Sequence, residues 1–237
     1  ETVAGALAST ATEHWGRYFH VPGSIRTKSA TPFKVFTPFF RAWQAKQPDP
    51  WPSPGDAEIS GDRGEGVPGA DPPLMAGGEL AALERLERFL DRVDRYGSER
   101  DRPDLDTASR LSADLKFGTI SPRTIASHTG SESEGRRGFV RQLCWRDFYA
   151  QVLLAWPETV SRAMRPEYDA IEWNDDPDGL AAWKDGLTGY PIVDAGMRQL
   201  QSEGWMHNRV RMVTASFLVK DLLIDWRLGE RHFRRLL

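Results

Sequence analysis

The sequence predicts a mainly α-helical protein with a short remnant of an α/β domain ahead of the helices. Three observations carry that reading. From Glu79 onward apolar residues recur at three- and four-residue spacing with charged residues between them, the period of amphipathic helices. Strand-like alternation is nearly absent after residue 45, and there is no internal repeat. Between the two parts, Lys46 to Gly78 holds seven prolines and seven glycines with few large apolar side chains. Such a stretch buries too little surface to offset the entropy of ordering it, and reads as a long surface linker.

Taken in order, residues 1–25 are read as the remnant, with a helix end over 1–12 and a short strand over 18–21. Residues 26–78 are connector and linker. The connector, from Thr31 to Trp43, is aromatic and punctuated by Pro32 and Pro38, which favour extended backbone running into a short helix from about Pro38. Residues 79–237 are the helical domain. Leu80, Leu83, Leu86, Phe89, Leu90 and Val93 make its first helix, ending near Tyr96-Gly97. Further helices are predicted over 109–117, 121–129, 136–155, 157–164, 178–185, 191–204 and 208–228. The chain stops at Arg234-Arg235-Leu236-Leu237 inside a helical pattern with no stop signal, as expected of a truncated product whose C-terminal part is missing.

A length of 237 residues holds one large domain or two small ones. Lys and Arg number 31 against 34 Asp and Glu, a net charge of -3, so a nucleic-acid role must rest on local clustering. The single cysteine, Cys144, excludes an internal disulfide and suits a cytoplasmic setting. No apolar run approaches the roughly 20 residues of a membrane span, and the N-terminus lacks the layout of a signal peptide. Nine tryptophans are the compositional anomaly. They serve core packing, ring stacking or electron relay, and composition alone favours packing.

Three segments are candidates for chemistry. In the first, Tyr96-Gly97-Ser98-Glu99-Arg100-Asp101 is followed by Thr107-Ala108-Ser109-Arg110-Leu111-Ser112. Small hydroxyl residues before a helix expose backbone N–H groups to an anion, and equally make an ordinary N-cap. In the second, Phe139 to Tyr149, one helical stripe carries Gln142, Trp145 or Arg146, and Tyr149. An amide, a flat ring and a phenol suit a base-like ligand, and a core aromatic stripe fits as well. The third runs from Thr188-Gly189-Tyr190-Pro191 through Trp205-Met206-His207-Asn208-Arg209-Val210-Arg211-Met212 to Trp226-Arg227. From Arg209 to Leu237 seven Lys/Arg face three acids, a local +4 that can meet phosphates or simply form a solvated face. His207 has no His or Cys partners in this segment, so no metal is predicted.

These segments resemble the flavin domain of the DNA photolyase/cryptochrome family. Thr-Gly-Tyr-Pro-Ile-Val-Asp-Ala, Trp-Met-His-Asn-Arg, Trp-Arg-Asp-Phe-Tyr, Ser-Arg-Leu-Ser and the Thr-Pro-Phe-Lys-Val-Phe-Thr-Pro-Phe connector all match, and the Met-His-Asn-Arg form is similar to microbial cyclobutane pyrimidine dimer photolyases. The resemblance implies FAD bound by Tyr96, Ala108, Ser109, Arg110, Leu111, Ser112, Phe139, Arg146, Trp205, Asn208 and Arg211. It implies a damaged DNA duplex met by Arg100, Gln142, Trp145, Arg146, Tyr149, Asn208 and Arg209, with Trp145 stacked on the extruded lesion and Gln142 and Met212 at its edges. Light-driven electron transfer from reduced FAD would open the dimer, and Trp226 and Trp173 would relay electrons to the flavin, with Trp183 as a side branch. Trp15, Trp43, Trp51 and Trp156 are left to packing. An antenna pigment of folate or deazaflavin type is expected only in the intact parent, a monomer.

Two departures from the family pattern bear on function. Dimer-repair members carry Glu where Gln142 stands, and Gln neither bears charge nor acts as an acid. That keeps open the six-four photoproduct branch, although Asn208 stands where that branch has its His, and a cryptochrome-type light receptor without repair activity. Phe139 replaces a common Trp. Because the innermost relay tryptophan would lie beyond Leu237, this chain is expected to bind FAD weakly or not at all, and an inactive remnant is a further alternative. The reading stands on one expectation: Ser109, Trp145, Trp205 and Asn208 converge on a single cavity.

Overall fold

The computed structural model describes residues 16–51 and 75–237. Helix α1 spans Phe36–Ala45 and α2 spans Glu79–Leu90. A 3₁₀ turn, Val93–Arg95, leads into the one-turn α3, Tyr96–Glu99. Then come α4, Ser112–Phe117, α5, Pro122–Thr129, and the long α6, Glu134–Ala155. After two 3₁₀ turns, Pro157–Val160 and Pro166–Ala170, the chain forms α7, Pro177–Asp185, and α8, Pro191–Glu203. It ends with α9, Asn208–Ser216, a π turn, Phe217–Asp221, and α10, Trp226–Leu236. Among the described residues there is no strand, so the mainly helical fold is as predicted.

Helix α6 is the axis of the N-terminal half. It starts at Ser133, whose hydroxyl accepts the Arg136 N–H at 3.2 Å. Its two sides enter different cores, so its apolar residues do not form one stripe. Phe139 and Leu143 pack with Leu86, Phe89, Val93, Leu111 and Ile125. Cys144, Phe148 and Val152 pack with Phe36, Phe39 and Trp43 of α1. A third core joins α7 to α10 around Trp183, Met197, Leu200, Met206 and Leu218. The fully buried Trp183 donates its indole N–H to the Thr214 carbonyl at 2.9 Å.

The second core is closed by a buried carboxylate. Asp147, 3% exposed, accepts the His20 N–H (2.9 Å), the Phe19 N–H (3.3 Å) and the Trp43 indole N–H (2.9 Å). This corrects the strand expected over 18–21: those N–H groups are consumed by a helix side chain, and the segment is turns and bends. Asp194, in the first turn of α8, does comparable work, accepting Thr188 N–H (2.8 Å), Thr188 O–H (2.6 Å) and Gly189 N–H (3.0 Å). The Thr-Gly-Tyr-Pro-Ile-Val-Asp motif is therefore first a turn lock.

Several boundaries differ from expectation. The helix expected over 109–117 begins at Ser112, because Arg110 takes a left-handed φ of 54°. The helix expected over 208–228 breaks after the π turn, where Leu223 has φ 52° and Asp225 caps α10 by accepting the Arg227 N–H at 2.9 Å. Asn174 pins that break, donating its side chain to Leu222 O and its backbone N–H to Leu223 O. The helix expected over 157–164 shortens to the turn Pro157–Val160, and the first helix ends at Leu90. Helix α1 starts at Phe36, two residues before Pro38. Residues 46–51 have no regular structure, while residues 1–15, including Trp15, and linker residues 52–74 lie outside the described residues. Among the described residues no helix is long and apolar enough to cross a membrane, and no group of three or more His, Cys, Asp or Glu is placed to hold a metal ion.

Candidate functional site

A cleft of about 970 Å³ opens between the first and third cores. One wall is α2 with the 106–117 segment, and the other is the end of α8 with Trp205 and Arg211. Six cations line it (Arg85, Arg88, Arg92, Arg110, Lys116, Arg211) against three acids (Asp91, Asp106, Glu203). Arg85 is committed to the buried Asp114, at 2.9 Å. Arg92 and Arg211 have no such carboxylate: Arg92 Nη1 donates to the Asp106 carbonyl at 2.8 Å, and each arginine has a buried Nε with no hydrogen-bond partner. Burial alone draws the Arg211 guanidinium below its usual pKa, and its Nη2 reaches the Met206 carbonyl at 3.2 Å. An excess of guanidinium groups, two of them without a carboxylate partner, favours an anionic ligand in the cleft.

Arg110 joins the two walls. It bonds Asp106 at 3.2 Å on its own side and Glu203 at 3.2 Å across the cleft, with its guanidinium 4.2 Å from the Trp205 ring centroid. Ser109 turns its hydroxyl to the Leu111 N–H at 3.5 Å, inside the turn.

Of the residues expected at the cofactor, Ala108, Ser109, Arg110, Ser112, Trp205 and Arg211 share this cleft. Leu111 and Phe139 do not line it; they are core residues, 2% and 6% exposed. Tyr96 packs against both Phe89 (6.0 Å) and Phe139 (5.4 Å), and burial pushes its phenol pKa up. Arg146 bonds the carbonyls of Arg17 and Leu115 and lies over Tyr18 at 4.7 Å, supporting α4 from behind instead of lining the cleft. The expected convergence is thus half met: Ser109 and Trp205 share the cavity, while Trp145 and Asn208 are outside its lining.

Trp145 lies face to face with Phe36, centroids 3.5 Å apart and planes 3° apart, with Tyr149 stacked at 5.6 Å. Gln142 folds its amide back to the Gly138 carbonyl at 3.2 Å. A second group of expected residues forms on the α3–α9 side. Asn208 and Arg209 approach the Met212 sulfur at 3.7 and 4.0 Å. Arg209 pairs with Asp101 at 2.8 Å, beside Arg100. Trp226 is half-buried under Arg227 at 5.2 Å, and Trp173 is half-buried beside the Asn174 pin.

Sequence reasoning missed the basic face formed by α2 and the turn after it. Arg85, Arg88 and Arg92 follow a three- and four-residue spacing that places them on one side, a signal present in the sequence. It also missed Asp147 and Glu203, whose partners lie 93 or more residues away.

Fold and cleft define a helical protein with a cation-lined cleft of nucleotide size. A family model described as the FAD binding domain of DNA photolyase matches residues 139–237, and one described as DNA photolyase matches residues 1–55. The chain is 44% identical to a deoxyribodipyrimidine photo-lyase of Halobacterium salinarum, over 91% of this chain and 50% of that protein. It is 41% identical to that of Escherichia coli, over 90% of this chain and 49% of that protein. A bacterial class III photolyase from Agrobacterium tumefaciens superposes with a TM-score of 0.80 at 35% identity, covering 94% of this chain and 51% of that one. A Synechocystis cryptochrome superposes with a TM-score of 0.76 at 28% identity, covering 94% and 52%. The chain belongs to the DNA photolyase/cryptochrome family, and it spans about half the length of the curated relatives it matches.

Proposed function

We propose that this chain is part of a light-driven DNA-repair lyase whose intact form binds FAD in the cleft and reverses cyclobutane pyrimidine dimers. The observation that carries this reading is a six-cation cleft large enough for a dinucleotide, with Arg92 and Arg211 on its walls bonded to carbonyls and to no carboxylate. Bound in reduced form and excited by light, FAD would lend the dimer one electron and recover it once the cyclobutane bonds have opened. The chain's own residues bind and orient. Ala108, Ser109, Arg110 and Ser112 hold the anionic part, and Trp205 and Arg211 the ring system. Tyr96, Leu111, Phe139 and Arg146 keep the walls in place from behind. Gln142, Trp145, Tyr149, Asn208 and Met212 serve the extruded lesion, Arg100 and Arg209 the duplex backbone, and Trp226 with Trp173 the electron relay.

The organisation we infer is a remnant over 1–25, a connector and linker over 26–78, and a helical cofactor and DNA domain over 79–237. The intact protein works as a monomer in the cytoplasm, a setting supported by the single free, buried Cys144.

The test is direct. FAD added to the intact protein should show quenched flavin fluorescence, and Arg92→Ala or Arg211→Ala should each weaken uptake by about tenfold, the loss of one charge-assisted hydrogen bond. Illuminated intact protein should consume dimers in an oligonucleotide. Absence of both flavin uptake and dimer loss rejects the proposal. Gln142 favours one other reading: its uncharged amide is engaged with its own helix. Flavin retained with dimer content unchanged under light would select a signalling receptor.

A further inference from the structure

An ion cluster outside the cleft joins segments more than one hundred residues apart. Asp101 Oδ1 lies 2.8 Å from Arg209 Nη2 and 3.8 Å from Arg100 Nε. Both guanidinium groups therefore converge on a single carboxylate oxygen. Each is also held from behind. Arg100 sits over the Tyr96 ring at 5.6 Å, and that ring is packed on Phe89 and Phe139. Arg209 occupies the first turn of α9, where its N–H bonds the His207 Nδ1 at 3.1 Å and its Nη1 meets the Met212 sulfur at 4.0 Å. Two guanidinium groups fixed around one anionic oxygen are what a phosphate requires. The carboxylate now between them is 51% exposed and the two arginines 36% and 42% exposed. An ion pair that wet is weak and exchanges readily for another anion.

We infer that Asp101 is an internal stand-in for a DNA phosphate, filling the Arg100–Arg209 fork in the free protein and yielding it to a backbone phosphate on binding. This rests on the DNA-binding reading given above. The physical consequence is specific. A phosphate entering the fork must displace a carboxylate that stays nearby and repels it. The freed carboxylate also takes up a cation, which subtracts from the counterions released by the DNA. Asp101 thus lowers affinity for any duplex by the same factor, with or without a lesion, because phosphate contacts carry no base information. Its role is to keep the protein from dwelling on undamaged DNA.

The experiment compares the full chain with Asp101→Asn, Asp101→Ser, Arg209→Gln and the Asp101→Asn/Arg209→Gln double variant. Anisotropy with plain and dimer-containing duplexes, read from 50 to 200 mM salt (about the range over which phosphate contacts are lost), gives affinity and salt slope. Elution from heparin gives anion affinity without DNA. Both Asp101 variants should bind both duplexes about three- to tenfold tighter at low salt, with a slope steeper by about one. Arg209→Gln should bind more weakly, and adding Asp101→Asn to it should recover little. Unchanged or weaker binding by both Asp101 variants, with an unchanged slope, overturns the inference. A later heparin elution of those variants without duplex binding by any protein keeps the anion fork and removes the DNA reading. Identical heparin elution removes the fork.

Discussion

At the scale of single residues, burial decides chemistry. Burial, with Asp147 nearby, pushes the Cys144 thiol far up, so the one cysteine is a core atom and not a nucleophile. Asp147 is the opposite kind of buried group, polar and fully used. Burial raises its carboxyl pKa, against the pull of hydrogen bonds from Trp43, His20 and Phe19. Replacing it with Ala leaves those three donors buried and unpaired. We expect Asp147→Ala to lose about 3 kcal/mol or more, a fall in Tm of about 6–12 °C for a chain of this size. Calorimetry showing a Tm within 2 °C (about 0.5–1 kcal/mol) would mean that the three donors find water. The stacking of Trp145 on Phe36 belongs to this scale too. Helical spacing correctly groups Gln142, Trp145 and Tyr149, but nothing in that spacing announces that a ring from α1 covers Trp145.

At the scale of elements, close approach matters more than propensity. Helix α6 begins against the Val93–Arg95 turn, and a Cβ on Gly135 would overlap the Val93 and Asp94 carbonyl oxygens, well inside van der Waals contact. These are backbone atoms, which cannot swing aside. We expect Gly135→Ala to destabilise the protein by about 2 kcal/mol despite alanine's higher helix propensity, because overpacking against backbone costs about 3 kcal/mol and outweighs a gain of about 1 kcal/mol. A urea midpoint equal to or above the parent's would refute it. The same logic explains why α9 and α10 are separate. The apolar period runs on across 217–226, yet a π turn, the left-handed Leu223 and the Asp225 cap redirect the chain. Periodicity reports which residues want burial and is nearly blind to a turn that satisfies the same burial by another route.

At the scale of the whole molecule, three histidines couple stability to pH. His20, His207 and His232 are 2%, 6% and 7% exposed, and burial first of all holds each below the ordinary 6.5. The unfolded chain therefore binds more protons than the folded one between the depressed values and 6.5, so stability is full above 6.5 and falls as pH drops below it. Asp147 acts in the other sense, its raised carboxyl making stability fall as pH rises from 3.8 toward its folded value. We expect chemical denaturation to show stability declining from pH 7 to 5, and replacing His20 and His232 with Gln to flatten that decline. A pH-independent midpoint over that interval would rule out the neutral, buried imidazoles. The cleft belongs to this scale as well. Its walls come from two cores, and Arg110 spans them by pairing with Glu203, so its shape depends on how the cores sit together.

Sequence alone determined that this chain is helical, where most helices lie, and, through short motifs such as Ser-Arg-Leu-Ser and Trp-Met-His-Asn-Arg, which family it resembles. Those features are local, written in spacing and in the backbone needs of turns and caps. Tertiary structure decided which motif residues meet. It put Ser109 and Trp205 in one cleft with the unforeseen Arg92, moved Leu111 and Phe139 into the core, covered Trp145 with Phe36, and closed Asp101 between two arginines. Each outcome depends on contacts between segments far apart in the chain, where burial and charge pairing act across space and leave no period along the sequence.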